Sequence, residues 1–363
     1  MSILNSQPMF FLGANSPKGF ISKFGEAFSH SDGWHTYIIK GGPGTGKSTL
    51  MKRTADYFLR QGLRAHLCPC SSDPASLDAV IFPDIRVIIL DGTAPHVVEP
   101  IYPGACEEII NMGDCWDASA LRNNRKEIVA LTNLNKSYHK KASNCLIAAG
   151  CMGEDISSYA AACTNTDKAY SFGMSLAKKY IPKLKAQGIE WQRFLSGVSP
   201  KGHIFYKKTL DKMCDEKIIV SDEYGAASPA IMDAVREYAL TSGHEIISCR
   251  CPLRPEKVEH IILPSLRLCF CTSNKYHPVD SKERVIHARR FMDMKAFHLD
   301  RQRVNFSRKS EAEMITLAAE SLMEAKAVHD DLEAYYISAM DRSALNSHTD
   351  YLIHKILETD IKQ

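Results

Sequence analysis

Apolar positions along the chain follow two rhythms. Short runs such as "TYIIK" (36–40) and "VIIL" (87–90) predict strands buried on both faces, as in a parallel sheet covered from two sides. "STLMKRTADYFLRQG" (48–62) spaces its apolar residues at helical intervals and predicts a helix directly after a glycine-rich loop. Two longer stretches, roughly 118–190 and 310–360, read as helical tails; in the second, Met314, Ala318, Leu322, Ala325, Leu332 and Tyr336 recur at helical spacing. A helical hairpin packed on each α/β unit is the expected arrangement.

The same order of elements occurs twice. Residues 38–96 lie on 219–277 without a gap at an offset of 181, and thirteen pairs are identical, among them Gly44/Gly225, Cys68/Cys249, Cys70/Cys251 and His96/His277. Upstream, "FLGANSPKGFI" (11–21) answers "FLSGVSPKGHI" (194–204). Register kept over that length marks an internal duplication. The expected fold class is α/β: two tandem P-loop NTPase-like units, each a mostly parallel sheet with flanking helices followed by a helical hairpin. The expected domains are 1–190 and 191–363, with the boundary near "KAQGIEWQR" (185–193), where Gly188 should stop the last helix of the first tail.

The two copies differ in chemistry. Gly41, Gly42, Pro43, Gly44, Thr45, Gly46, Lys47, Ser48 and Thr49 carry the full G-x-x-x-x-G-K-[ST] pattern between a predicted strand and a predicted helix. Glycines let successive backbone N–H groups turn toward phosphate oxygens, and the helix N-terminus adds its dipole. Lys47 is expected to reach the β/γ-phosphates and Ser48 to ligate Mg²⁺. Asp91, ending the apolar run 87–90, is the second expected Mg²⁺ ligand; a capping role in a turn is the alternative. Residue 92 is Gly, so the water-activating Glu of many hydrolytic P-loop enzymes is not at that place, and "DGTAP" is closer to small-molecule P-loop kinases. In the second copy Asp222 and Glu223 replace Gly41 and Gly42, Ser228 replaces Lys47, Pro229 replaces Ser48 and Thr272 replaces Asp91. Carboxylates in the loop oppose phosphate, while Ser228 as N-cap and Pro229 at the first helical position preserve a helix start.

Other candidates are ambivalent. Asp73 is placed to orient a water or an acceptor hydroxyl, but "SSDPASLD" also reads as an ordinary turn. His96 and the Ser-Pro-Lys-Gly loops persist in the copy that lost its chemistry, which favours structural roles. Arg250, Arg254, Arg289 and Arg290 are the candidates for a cationic finger reaching the first loop. Cys249, Cys251, Cys269 and Cys271 could be read as a zinc site, yet Cys269 and Cys271 stand where the first copy has Ile88 and Leu90, so core is the better reading.

The segments "SPKG", "KGGPGTGKSTLMK", "CSSDPASLDAVIFPDIRVIILDGTAPH" and "HDDLEAYY" resemble a family of bacterial P-loop ATPases with two tandem nucleotide-binding domains. The resemblance spans nearly the whole chain and implies the fold, nucleotide binding and ATP rather than GTP; the altered second loop argues against two working sites.

Composition changes this picture little. The formal charge of +3 on 363 residues gives no reason to expect nucleic acid or membrane as partner. No apolar run approaches the roughly 20 residues of a membrane span, and the N-terminus lacks a signal-peptide pattern. Twelve scattered cysteines fit a reducing compartment, so a cytoplasmic location is expected. Three functions remain open: ATP hydrolysis at one site, a nucleotide-gated switch, and phosphotransfer to a small molecule. The sequence names neither an acceptor nor a protein partner.

Overall fold

The computed structural model describes residues 3–29, 32–279 and 285–359. The first repeat forms a hairpin from β1 (Gly13–Ser16) and β2 (Gly19–Ser22), then β3 (His35–Lys40), α1 (Lys47–Arg60), β4 (His66–Pro69), β5 (Leu77–Phe82), β6 (Val87–Asp91) and β7 (Glu107–Asn111). After the helical segments α2 (Ala118–Asn123), α3 (Arg125–Ala162) and α4 (Thr166–Tyr180), the pattern restarts. The second repeat comprises β8 (Ile189–Arg193), the hairpin β9 (Ser196–Ser199) and β10 (Gly202–Phe205), α5 (Lys207–Met213), β11 (Glu216–Ser221), α6 (Ser228–Thr241), β12 (Glu245–Arg250), β13 (Val258–Leu263), β14 (Leu268–Ser273) and β15 (Val285–His287). It ends in α7 (Met294–His298), α8 (Arg301–Ala339) and α9 (Arg342–Thr359).

Each repeat carries one sheet, in strand order β4-β5-β6-β3-β7 and β8-β12-β13-β14-β11-β15. β3 runs parallel to β6 and β7, but β5 runs antiparallel to both neighbours, as β13 does in the second sheet. Each sheet is therefore mostly parallel, as expected, with one antiparallel strand set into it. The links around β5 are the reason: the few residues between β4, β5 and β6 cannot hold a crossover helix, so the chain must double back.

The two sheets share one core. Ile38, Ile88 and Leu90 from the first sheet lie in the same apolar cluster as Ile219, Ile247, Cys249, Cys269 and Cys271 from the second. The alternate residues Tyr37, Ile39, Val87 and Ile89 face outward onto α1, while Ile218, Val220, Leu268 and Phe270 face α6. This arrangement explains both the all-apolar strands and the cysteines. The central strands are covered by a helix on one side and by the other repeat's sheet on the other. Cys249, Cys269 and Cys271 occupy the inner face as small buried hydrophobes.

The expected hairpin on each unit is replaced by an exchange of arms. α3 and α8 pack together along their lengths, and each contact at one end has a counterpart at the other. The Asp117 N–H donates to Ala339 O at 2.8 Å and the Asp293 N–H to Cys163 O at 2.7 Å; the Asn165 N–H donates to Phe291 O at 2.8 Å and the Asp341 N–H to Cys115 O at 2.7 Å. The start of each helix thus meets the end of the other, which makes the pair antiparallel. Buried positions Ala142, Leu146, Ala149, Gly153, Ile156 and Ala160 alternate steps of four and three, a coiled-coil seam. Past this pair, α4 of the first tail packs on α6 of the second repeat, and α9 of the second tail packs on α1 of the first. Leu352 and Ile356 of α9 complete the core over α1.

The first tail's last helix ends at Tyr180, well before Gly188. Gly188 instead allows close approach: a Cβ there would lie 2.3 Å from Leu240 O. Gly173 does the same for the exchanged helix, since its Cβ would meet Ile231 O at 2.7 Å and Ala234 Cβ at 3.0 Å. Gly173→Ala is therefore expected to destabilise the protein by about 1–3 kcal/mol through overpacking, read as a lower midpoint in thermal unfolding. An unchanged midpoint would mean that α4 does not seat on α6 this closely. No helix among the described residues is long and apolar enough to cross a membrane.

Candidate functional site

The glycine-rich segment joins β3 to α1. Gly44 (φ +67) and Gly46 (φ +84) take left-handed conformations that a side chain would strain, so the loop can curl before the helix begins at Lys47. Lys47 folds back over the loop, and its Nζ donates to Gly41 O at 3.0 Å and to Gly42 O at 2.6 Å. Thr45 Oγ1 donates to Gly42 O at 2.8 Å and pins the turn. On the neighbouring strand Asp91 pairs in register with Ile39, which puts its carboxylate at the strand end beside the loop. Asp91 Oδ2 lies 3.5 Å from Lys47 Nζ, while Oδ1 accepts the N–H and the hydroxyl of Thr93. Ser48 Oγ accepts the Leu77 N–H at 2.9 Å. Pro43 is half-buried in the loop and Thr49 is exposed on the first turn of α1.

Three side chains from the far end of the sequence cover this loop. A Cβ on Gly42 would fall 2.6 Å from a ring carbon of Tyr336, and one on Gly46 would fall 2.8 Å from Leu345 Cδ2. On Gly44 it would reach Glu333 O at 2.9 Å. The Gly44 N–H donates to Glu333 Oε1 at 3.2 Å, so a carboxylate from α8 touches the loop's backbone. His329, four residues earlier, lies 3.3 Å from the same oxygen. Its hydrogen bond, with a smaller contribution from Gly44, holds the Glu333 carboxyl below its usual range despite partial burial. Sequence reading missed this cover, although "HDDLEAYY" carries His329, Glu333 and Tyr336 at helical spacing.

The corresponding loop of the second repeat is closed from within. Asp222 is about 1% exposed. Its carboxylate accepts the backbone N–H groups of Tyr224 (3.3 Å), Ala226 (3.1 Å), Ala227 (2.9 Å) and Ser228 (2.8 Å). This loop does not merely repel an anion; it holds one of its own. Small neighbours make room. A Cβ on Gly41 would strike Thr45 and Met112 at 2.8 Å, and Ala226 stands at the place of Thr45. Strand register puts Ala288, after His287 opposite Ser221, at the place of Met112, after Asn111 opposite Lys40. The expected N-cap role of Ser228 is corrected by this geometry. Ala227 is the cap position, Ser228 is already helical, and Asp222 supplies the capping oxygens. Glu223 turns away to pair with Arg308.

The remaining candidates sort by their contacts. Asp73 organises its own turn, accepting Ser76 Oγ at 2.8 Å and the Ala75 N–H at 3.3 Å, and Lys326 of α8 stands 3.8 Å away. Three of the four arginines considered for a finger are engaged elsewhere, and Arg289 is exposed. Arg250 is held by Glu190 and Glu256 O, Arg254 donates to Gly153 O, and Arg290 lies over Phe172 and Phe291. Both Ser-Pro-Lys-Gly segments are hairpin turns tied by Ser16 and Ser199, with Lys18 and Lys201 exposed at their tips. His96 is stacked on Phe24, and its Nε2 sits 3.3 Å from Asp78. Burial works against its imidazolium, but the Asp78 carboxylate outweighs that and raises its pKa.

Compared with known proteins, the chain matches no family model, no curated protein and no solved structure.

Proposed function

We propose that residues 41–48 bind the phosphates of a nucleoside triphosphate with Mg²⁺, and that the chain hydrolyses ATP at this one site. One observation carries the reading furthest: in both repeats the backbone of this loop takes carboxylate oxygens, from Glu333 in the first and Asp222 in the second. Such a cluster of N–H groups at a helix start is an anion receptor. Only the first repeat adds Lys47, Ser48 and Asp91 around it.

The donor set suits a hard cation. A hydroxyl on the first turn of α1 and a carboxylate at the adjoining strand end are both oxygen ligands of the kind Mg²⁺ takes. When bound, Mg²⁺ neutralises charge on the β- and γ-phosphates. Lys47 brings its ammonium to the same phosphates, and the loop N–H groups fix their orientation. Gly92 and Asp73 offer no free base, so slow turnover is the expectation. ATP is preferred over GTP on the family resemblance alone.

A second reading is favoured by the cover over the loop. Glu333, Tyr336 and Leu345 belong to the exchanged arm of the second half, and Glu333 takes a donor that phosphate needs. Nucleotide entry then has to displace the arm, which makes the protein a switch that reports nucleotide through α8 and α9.

The test is phosphate release and equilibrium binding on the full chain with Mg²⁺, comparing ATP with GTP. Glu333→Gln separates the two readings. If the carboxylate competes with phosphate, loss of its charge is expected to tighten ATP binding about tenfold, the worth of one charge-assisted hydrogen bond at the low end. If Glu333 serves turnover instead, phosphate release falls and affinity stays unchanged.

A further inference from the structure

The second repeat satisfies with its own side chains two places that the first treats differently, and the anion loop is one of them. Cys70, Asp78 and His96 each offer a ligand atom within 4.8 Å of the other two. His96 Nε2 and Asp78 Oδ2 are 3.3 Å apart. Two ligands on a tetrahedral ion with bonds of about 2.0–2.1 Å stand roughly 3.3–3.4 Å apart, so this edge already has a zinc site's dimension. Asp78 is about 4% exposed, its Oδ2 makes no hydrogen bond of normal geometry, and neither does His96 Nδ1. Among the described residues the one ion pair of Asp78 is with His96.

In the second repeat the corresponding residues are Cys251, Glu259 and His277. There Lys257 Nζ lies 3.1 Å from Glu259 Oε1, with both side chains buried. His277 is satisfied at both nitrogens, by Glu259 Oε2 at 3.1 Å and Ser196 Oγ at 2.8 Å. Lys257 corresponds to Ser76 and Ser196 to Gly13, so the first repeat has neither the ammonium nor the hydroxyl. A buried carboxylate needs a partner of opposite charge. In one repeat a lysine supplies it; in the other His96 is the one ion-pair partner among the described residues, and Cys70 converges on the same place.

We propose that Cys70, Asp78 and His96 bind a divalent transition-metal ion of the zinc class, with the fourth coordination position open to water. One thiolate, one imidazole and one carboxylate select such an ion over Mg²⁺ or Ca²⁺, which take oxygen ligands. Binding transfers to solvent the Cys70 thiol proton and the proton of His96 where the imidazolium is present. His260, beside Glu259 and His277, forms a similar cluster in the second repeat, but the Lys257 ammonium repels a cation there. This site stands independently of the nucleotide reading.

The experiment is Co²⁺ titration of chelator-treated full-length protein without nucleotide, followed by Zn²⁺ competition. One Co²⁺ per chain is expected, with a thiolate-to-cobalt charge-transfer band that Zn²⁺ abolishes. Cys70→Ser should remove the band. Ser76→Lys should abolish uptake by placing an ammonium where the second repeat has one, with the folded state confirmed by circular dichroism. That second variant keeps the test decisive if Cys70→Ser does not fold. The proposal is overturned if folded wild type takes up no Co²⁺, if the band persists in Cys70→Ser, or if folded Ser76→Lys binds as wild type does.

Discussion

Lys47→Ala is expected to lower phosphate release by about 10²–10³-fold, the usual cost of removing one fixed electrostatic partner of developing charge. The ammonium is held before any nucleotide arrives. Two loop carbonyls and Asp91 fix it, and the side chain is only 12% exposed. Its preorganisation is what makes the effect large, because no reorganisation is needed as charge builds on the phosphate. Lys47→Arg should not restore activity: a planar fork cannot reproduce a compact ammonium set between two carbonyls. Circular dichroism separates a dead site from a misfolded chain, and ATP binding is measured alongside turnover. If folded Lys47→Ala releases phosphate as fast as wild type, the site has been assigned to the wrong residues.

Asp222→Ala is expected to cost about 3–5 kcal/mol of stability. Four backbone N–H groups at the start of α6 share this carboxylate, and Asp222 is buried. Each donor left unsatisfied costs about 1–3 kcal/mol, less where water can enter. The helix also loses a negative charge at its positive end. Chemical denaturation should show a lower midpoint with an unchanged slope. Inorganic phosphate or sulfate should then recover part of the loss in the variant and not in wild type, because the emptied loop can take an anion from solution. Equal midpoints for variant and wild type would show that Asp222 is not what holds this loop.

Together the two substitutions probe the relation between the repeats. One loop is covered by the arm of the second half and carries Lys47, Ser48 and Asp91. The other has traded those residues for Ser228, Pro229 and Thr272 and gained an internal anion. The small residues Ala226 and Ala288 lie far apart in sequence, at the places of Thr45 and Met112 in the first repeat.

Much of this organisation was legible in the sequence because it rests on local or repeated properties. Strand and helix periodicities report which faces are buried, and the loop pattern between β3 and α1 depends on neighbours a few residues apart. The duplication is visible as a constant offset. Isoleucine and leucine at the positions of Cys269 and Cys271 already marked those thiols as core. The apolar seam of α8 was equally clear.

What the sequence could not decide is which surface each apolar face meets. A seam on α8 demands a partner, but hydrophobic burial is non-directional and does not specify a hairpin within one half over a crossing between halves. Only the tertiary structure sends α4 to α6 and α9 to α1. The same holds for the inner sheet faces, which need cover but do not name the other sheet as its source. It holds most of all for Glu333, whose contact with Gly44 spans most of the chain and needs the exchanged arm to exist. The sequence by itself determined the elements, the repeat and the residue pattern of the first loop; the packing of one repeat against the other decided what covers that loop and what fills its counterpart.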